Sequence, residues 1–322
     1  MKTNLNQHSI YLDYNATTPT LAEGIKQATE FMNTTFANPS SSHLSGLEVK
    51  LEVENVRTLA ARSLGALEQE IVFTSGATEA IQISIFSILQ DYKIKCVSKT
   101  NNETNSKKKN KILCGSTEHK AVLEGLHYWI KVLDIDAEII ELPVFNNGLF
   151  DLNFLQQHVA ETFFVATMAV NNETGVISPL KQMEQIIRSV SHKIYWFVDG
   201  VQALGKIPFF LNTLSVDYSC FSGHKIYAFK GIGFLYARSG NPIHPLIVGG
   251  GQEKALRSGT ENVPGILSLG VSLKELIFVM EGKPSVFKNT QALSHHKQKL
   301  KKILSTVFEN IVFNTPDELS VP

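Results

Sequence analysis

Along most of the chain, apolar runs of strand length alternate with stretches whose apolar residues recur every three or four positions. Residues Glu48 to Ala66 show the helical spacing, with Val49, Val53, Val56, Leu59, Ala60 and Leu64 mostly three or four apart on one face. A short strand is expected at Glu70 to Thr74, then a break at Ser75-Gly76, then a helix from about Ala77 to Leu89. Further strands are expected at Ile112 to Gly115, Ala137 to Glu141, Phe163 to Ala169, Ile194 to Val198, Val216 to Phe221 and Gly233 to Tyr236. Strands separated by helices need crossover connections, which predicts a mainly parallel sheet with helices on both faces.

Two segments interrupt the alternation. Lys99 to Lys111, "KTNNETNSKKKNK", has no apolar residue. A basic run can mark a nucleic-acid patch; a solvated insertion between a helix and the next strand fits the neutral whole better. At the other end, Ile311 to Phe313 starts like a strand, and Asn314 to Pro322 then turns polar.

Composition narrows the class. The 322 residues carry 30 basic and 30 acidic side chains, so the charge balance points to neither direct nucleic-acid binding nor a membrane surface. Nothing in the sequence reaches the run of about 20 consecutive apolar residues that a spanning helix needs. The first residues, "MKTNLNQHSIYLDY", do not resemble a signal or transit peptide. Cys96, Cys114 and Cys220 make neither a zinc pattern nor a disulfide framework. A cytoplasmic location is the expectation.

The candidate chemistry lies at the expected strand ends. "FTSGATEA" (Phe73 to Ala80) puts Ser-Gly-Ala-Thr at a strand-to-helix junction, where backbone N–H groups and the helix end favour an anion. An ordinary capped helix would look the same. "VDGVQALG" ends a strand on Asp199, with Gln202 three residues on; a loop-capping aspartate is the plain alternative. His119 in "TEHKAV" follows another strand, where a single histidine is more often a structural hydrogen-bonder. "AVNNETG" offers Asn171, Asn172 and Glu173, and "RSGTEN" offers Arg257 and Thr260. Lys225 stands between an apolar strand and a glycine turn, in "SCFSGHKIYAFKG". A phosphate cradle, an aromatic histidine, a carboxylate and a partly buried lysine together suit pyridoxal 5′-phosphate: the lysine for a Schiff base with the aldehyde, the carboxylate for the pyridine nitrogen. Burial and nearby cations would lower the lysine pKa and favour the free amine.

With these motifs in order, joined by "YLDYNATTP", "NPSSSH" and "GGGQEKALRSGT", the chain resembles the cysteine desulfurases of the class V aminotransferase group. The resemblance runs from about residue 10 to residue 320. It implies a fold-type I transferase with a large domain (21–262) built on a mainly parallel seven-stranded sheet. An N-terminal segment (1–20) would join a small α/β domain that begins at 263 and is incomplete at 322. It further implies Lys225 as the Schiff-base lysine, Asp199 at the pyridine nitrogen and Gln202 at the ring hydroxyl. His119 would stack on the ring and assist proton transfer. Thr78, Ser222 and His224 would bind the phosphate, Ala77 would bind the cofactor, and Asn172 would lie near substrate or cofactor. Thr260 would reach the phosphate of a neighbouring subunit, which implies a homodimer with shared active sites.

The implied reaction takes sulfur from L-cysteine to leave alanine and a persulfide, for iron–sulfur cluster assembly or tRNA thiolation. A sulfur-acceptor or scaffold protein is an expected partner. In this family the sulfur-accepting cysteine lies on a loop beyond the position of Pro322, so the expectation is a chain that is weak or inactive by itself. Cys114 and Cys220 fall in expected core strands and Cys96 at the polar insertion. A selenocysteine or cysteine lyase of the same group, or a non-catalytic subunit that dimerises with an intact desulfurase, are the competing readings. Ala228-Phe229 stands where the family usually has Gly-Pro.

Overall fold

The computed structural model describes residues 10–99, 110–285, 287 and 290–321. Most of the polar insertion, 100–109, lies outside the described residues. Helices α1 (Ala22–Thr34) and α2 (Leu44–Leu64) lead into strand β1 (Ile71–Thr74) and helix α3 (Ala77–Lys99). Then follow β2 (Lys111–Gly115), α4 (Lys120–Val132), β3 (Glu138–Leu142), α5 (Leu152–His158) and β4 (Thr162–Met168). The order continues with α6 (Leu180–Ile187), β5 (Tyr195–Asp199), β6 (Tyr218–Ser222), β7 (Gly233–Ala237), α7 (Val263–Met280) and α8 (Thr290–Val307).

The seven strands form one sheet in the order β1-β7-β6-β5-β4-β2-β3. β7 pairs antiparallel with both neighbours, and the other pairings are parallel. β1 therefore points the same way as β2 to β6. β4 to β7 are buried along their whole length, as strands covered on both faces must be. One face packs Val49, Val53, Leu113, Val165, Trp196 and Leu269 with the helices α2 and α7; the other packs Ile81, Ile85, Ile112, Phe164, Phe197 and Leu126 with α3 and α4.

α2 begins at His43, whose Nδ1 accepts the Gly46 N–H, and ends at Gly65 in the left-handed region, φ +62°. α7 is apolar and long enough to cross a membrane, yet Ile266, Leu269, Leu273 and Ile277 are buried against the rest of the fold. α3 runs ten residues past the expected Leu89. The expected strand at Ile311–Phe313 is a correction: these residues form no strand, and among the described residues after α8 the β-structure is a bridge between Val176 and Ser320. With no strand beside them, their backbone groups have no ladder to join.

Candidate active site

The C-terminal ends of β1, β2, β4, β5 and β6 all face one edge of the sheet, where open α/β sheets gather ligand-binding loops. A cavity of about 720 Å³ opens there. Ala77, Thr78, His119, Asn172, Asp199, Gln202, Ser222, His224 and Lys225 all line it. Thr260 does not; it is exposed on the loop before α7.

Lys225 sits in a 3-10 turn directly after β6. Its Nζ donates to the carbonyls of Asn15 (2.6 Å) and Ala16 (2.9 Å). The N-terminal segment is stitched over this turn: Thr18 donates its N–H and Oγ1 to the His224 carbonyl and accepts the Tyr227 N–H. Burial holds the lysine pKa below its ordinary value, and the carboxylates of Asp13, Asp199 and Glu173 oppose it. The expected lowering thus comes from burial alone; the charges acting on Lys225 are carboxylates, which raise its pKa, and not the expected cations. The cation next door is Lys206, whose own pKa is pushed down to about 8 by burial and by Lys225. Lys206 Nζ donates to Asn15 Oδ1 (2.8 Å) and to Gln202 Oε1, and Gln202 Nε2 donates to the Asn15 carbonyl (3.1 Å).

Asp199 ends β5, buried, and its Oδ1 accepts the Val201 N–H at 2.9 Å. Burial raises its pKa, while the Val201 amide, the Cys220 thiol, His119 and Lys225 favour the ionised form. His119 caps α4 by accepting the Ala121 N–H at Nδ1, so the proton of the neutral ring lies on Nε2. Asn172 donates to Glu173 Oε1, and Asn171 turns away from the cavity to hold its loop, its Oδ1 accepting from the Glu173 and Thr174 amides.

At the other end, the first turn of α3 carries N–H groups without intrahelical acceptors. Gly233 lets β7 pass tightly behind this turn: a Cβ there would lie 2.4 Å from the Phe221 carbonyl and 2.7 Å from Gly76 Cα. Ala228-Phe229 is accommodated, because the Phe229 N–H, which a proline would lack, donates to Ser268 Oγ at 3.1 Å.

Sequence reasoning missed several residues here. Asp13, Asn15 and Glu79 also line the cavity, beside the Glu173 that "AVNNETG" offered. Behind it, both carboxyl oxygens of Glu118 are buried, and burial and the nearby Asp199 raise its pKa well above the usual range, opposed by the Met168 backbone. Cys114 and Cys220 are buried, with thiols pushed up first by burial. None of the three cysteines lines the cavity.

An anion cradle, a buried carboxylate and an amine of lowered pKa, arranged around one cavity, are the donor set that pyridoxal 5′-phosphate requires, and the residues present fit that group. The family model for class-V aminotransferases matches residues 10–315. The chain belongs to that family. It is 35% identical over 305 residues to cysteine desulfurase IscS of Dictyoglomus turgidum, covering 94% of this chain and 72% of that one. It is 39% identical over 276 residues to cysteine desulfurase IscS of Rickettsia africae, covering 84% and 63%. The chain thus spans less than two thirds of the Rickettsia relative. A solved NifS-like protein superposes with a TM-score of 0.85 at 35% identity, covering 97% of this chain and 80% of that one. The mixed sheet is that of the fold-type I cysteine desulfurases.

Proposed function

We propose that the cavity holds pyridoxal 5′-phosphate and serves an L-cysteine desulfurase. The observation that carries this reading is Lys225, half-buried at the cavity wall with its pKa lowered, facing the buried carboxylate of Asp199. Lys225 is the group that would join the aldehyde and exchange the Cα proton, since a lysine whose charge is disfavoured gives up its proton readily. Asp199 would take the pyridine N–H, an ion pair that its burial strengthens. Gln202 would meet the ring hydroxyl, and His119 would lie over the ring with its Nε2 free to hold a proton. Ala77, Thr78, Ser222 and His224 would bind the phosphate, Asn172 would contact substrate or cofactor, and Thr260 would act in the site of a second copy of the chain. When bound, the cofactor supplies an electron sink for the pair left by Cα–H cleavage.

The substrate reading rests on the relatives that carry the desulfurase name. The C–S bond breaks, alanine leaves, and the sulfur atom passes to a thiol, giving a persulfide. Cys96, Cys114 and Cys220 do not line the cavity, so the proposed acceptor is a thiol outside these three, in a reducing cytoplasmic setting and in support of iron–sulfur cluster assembly or tRNA thiolation. The test loads the purified chain with pyridoxal phosphate and supplies L-cysteine with dithiothreitol. Sulfide release should depend on Lys225, and borohydride reduction should fix the cofactor mass on the peptide that contains it. A Lys225→Ala chain should do neither. Release that persists in Lys225→Ala, or cofactor mass on another lysine, would overturn the reading.

A further inference from the structure

The first turn of α3 presents a contradiction. Helix N-termini favour anions, but here a carboxylate, Glu79, already lines the cavity beside Ser75 and Thr78. Its Oε2 accepts the Ser75 N–H at 2.6 Å, which removes one donor from any incoming phosphate and leaves a negative charge next to it. The compensation arrives from far along the chain. Arg257, on the loop before α7, donates from Nε to Glu79 Oε1 at 2.8 Å and from Nη2 to Oε2 at 3.3 Å. Both side chains are largely shielded, at 22% and 12% exposure, so the pair is weakly screened. Arg257 does not line the cavity. The same loop has an independent anchor, because Glu253 pairs with Arg57 and accepts the Phe73 N–H.

We propose that Glu79 and Arg257 act as a charge-matched pair that sets the anion affinity of the Ser75–Thr78 turn, with Arg257 as a positioning residue that cancels the Glu79 charge without touching the ligand. Glu79 fixes the turn by holding the Ser75 amide; Arg257 makes a carboxylate tolerable at that place. This rests on the reading of the cavity's helix end as the phosphate end. Burial raises the Glu79 pKa, but the hydrogen bonds from Arg257 and Ser75 outweigh it and keep the group ionised. Removing Arg257 therefore leaves a bare negative charge against the phosphate. Removing both charges restores neutrality, because a glutamine at 79 still accepts the Ser75 N–H.

Titration of the purified apoprotein with pyridoxal 5′-phosphate, pyridoxal and inorganic phosphate separates the possibilities. Arg257→Gln should weaken both phosphate-bearing probes about tenfold and leave pyridoxal within about twofold. Glu79→Gln combined with Arg257→Gln should regain most of that loss, and Arg257→Lys should keep most of the wild-type affinity. A double variant as weak as Arg257→Gln, an equal loss for pyridoxal, or an unaffected phosphate titration would overturn the proposal in favour of a purely structural pair. Wild-type protein that binds inorganic phosphate but not pyridoxal phosphate would defeat the cofactor reading and leave the pair's role standing. Wild-type protein that binds neither would defeat both.

Discussion

Lys206 shows how a single amine can shape the site without facing the reaction. It holds Gln202 and Asn15, and Asn15 in turn accepts from Lys225. Two amines so close cannot both carry a full charge cheaply, and the pKa of Lys206 falls to about 8 through burial and its neighbour. In the unfolded chain a lysine titrates near 10.4. Between those values the unfolded chain binds more protons, so stability should rise as pH rises from about 8 toward 10. Below about 8 both states hold the proton and the penalty is fully present. Urea unfolding at pH 7.5 and 9.5 should show this gain, and Lys206→Met should show a smaller one. The remainder would belong to Lys225, whose pKa moves in the same direction. An equal gain in Lys206→Met would remove Lys206 from the explanation.

Among the elements, the loop between residues 251 and 262 carries the most unusual backbone. Glu253, Lys254 and Ala255 all lie in the left-handed region, at φ 49°, 57° and 63°. Three such residues in a row cost free energy that the surroundings must offset. The offset is Arg57 on α2, which is 3% exposed and donates to both Glu253 oxygens and to the Ile71 carbonyl. Arg57→Met should destabilise the fold by roughly 3–5 kcal/mol, since Glu253 would be left buried and uncompensated. Equilibrium denaturation checks this, and a change below about 1 kcal/mol would show that the loop rearranges freely.

The strands were readable because β4 to β7 are buried on both faces and so are runs of apolar residues. The far half of α3 was not, because Gln90 to Lys93 looks like a polar stop. The helix continues where Asp91 accepts from the Tyr195 hydroxyl and Lys93 donates to the Leu133 carbonyl, partners 104 and 40 residues away. The proposed cofactor residues were legible through motifs that end strands. Arg57–Glu253 and Glu79–Arg257 were not, because pairs separated by 196 and 178 residues leave no local pattern.

For the whole molecule, the question is where Thr260 works. It is exposed and outside the cavity of its own chain, although the loop that carries it is tied to that cavity by Arg257. The helices α1 and α2 and the segment between them leave Met32, Phe36, Leu44, Leu47 and Leu51 exposed, an apolar surface of the sort that marks an interface. Both features fit a homodimer in which each copy supplies Thr260 to the other's phosphate. Mixing variants tests this directly. A Lys225→Ala chain cannot hold the cofactor covalently, and a Thr260→Ala homodimer should hold it more weakly, by about tenfold if one charge-assisted hydrogen bond is lost. In a heterodimer of the two, one site combines an intact Lys225 with an intact Thr260 from the other chain. Unfolded and refolded together, the mixture should contain sites with wild-type affinity that neither parent has. If Thr260 served its own chain instead, the heterodimer would combine no intact pair and the mixture would be the sum of its parents. Sedimentation equilibrium would establish the dimer, and cofactor titration of the mixture would decide between the two arrangements.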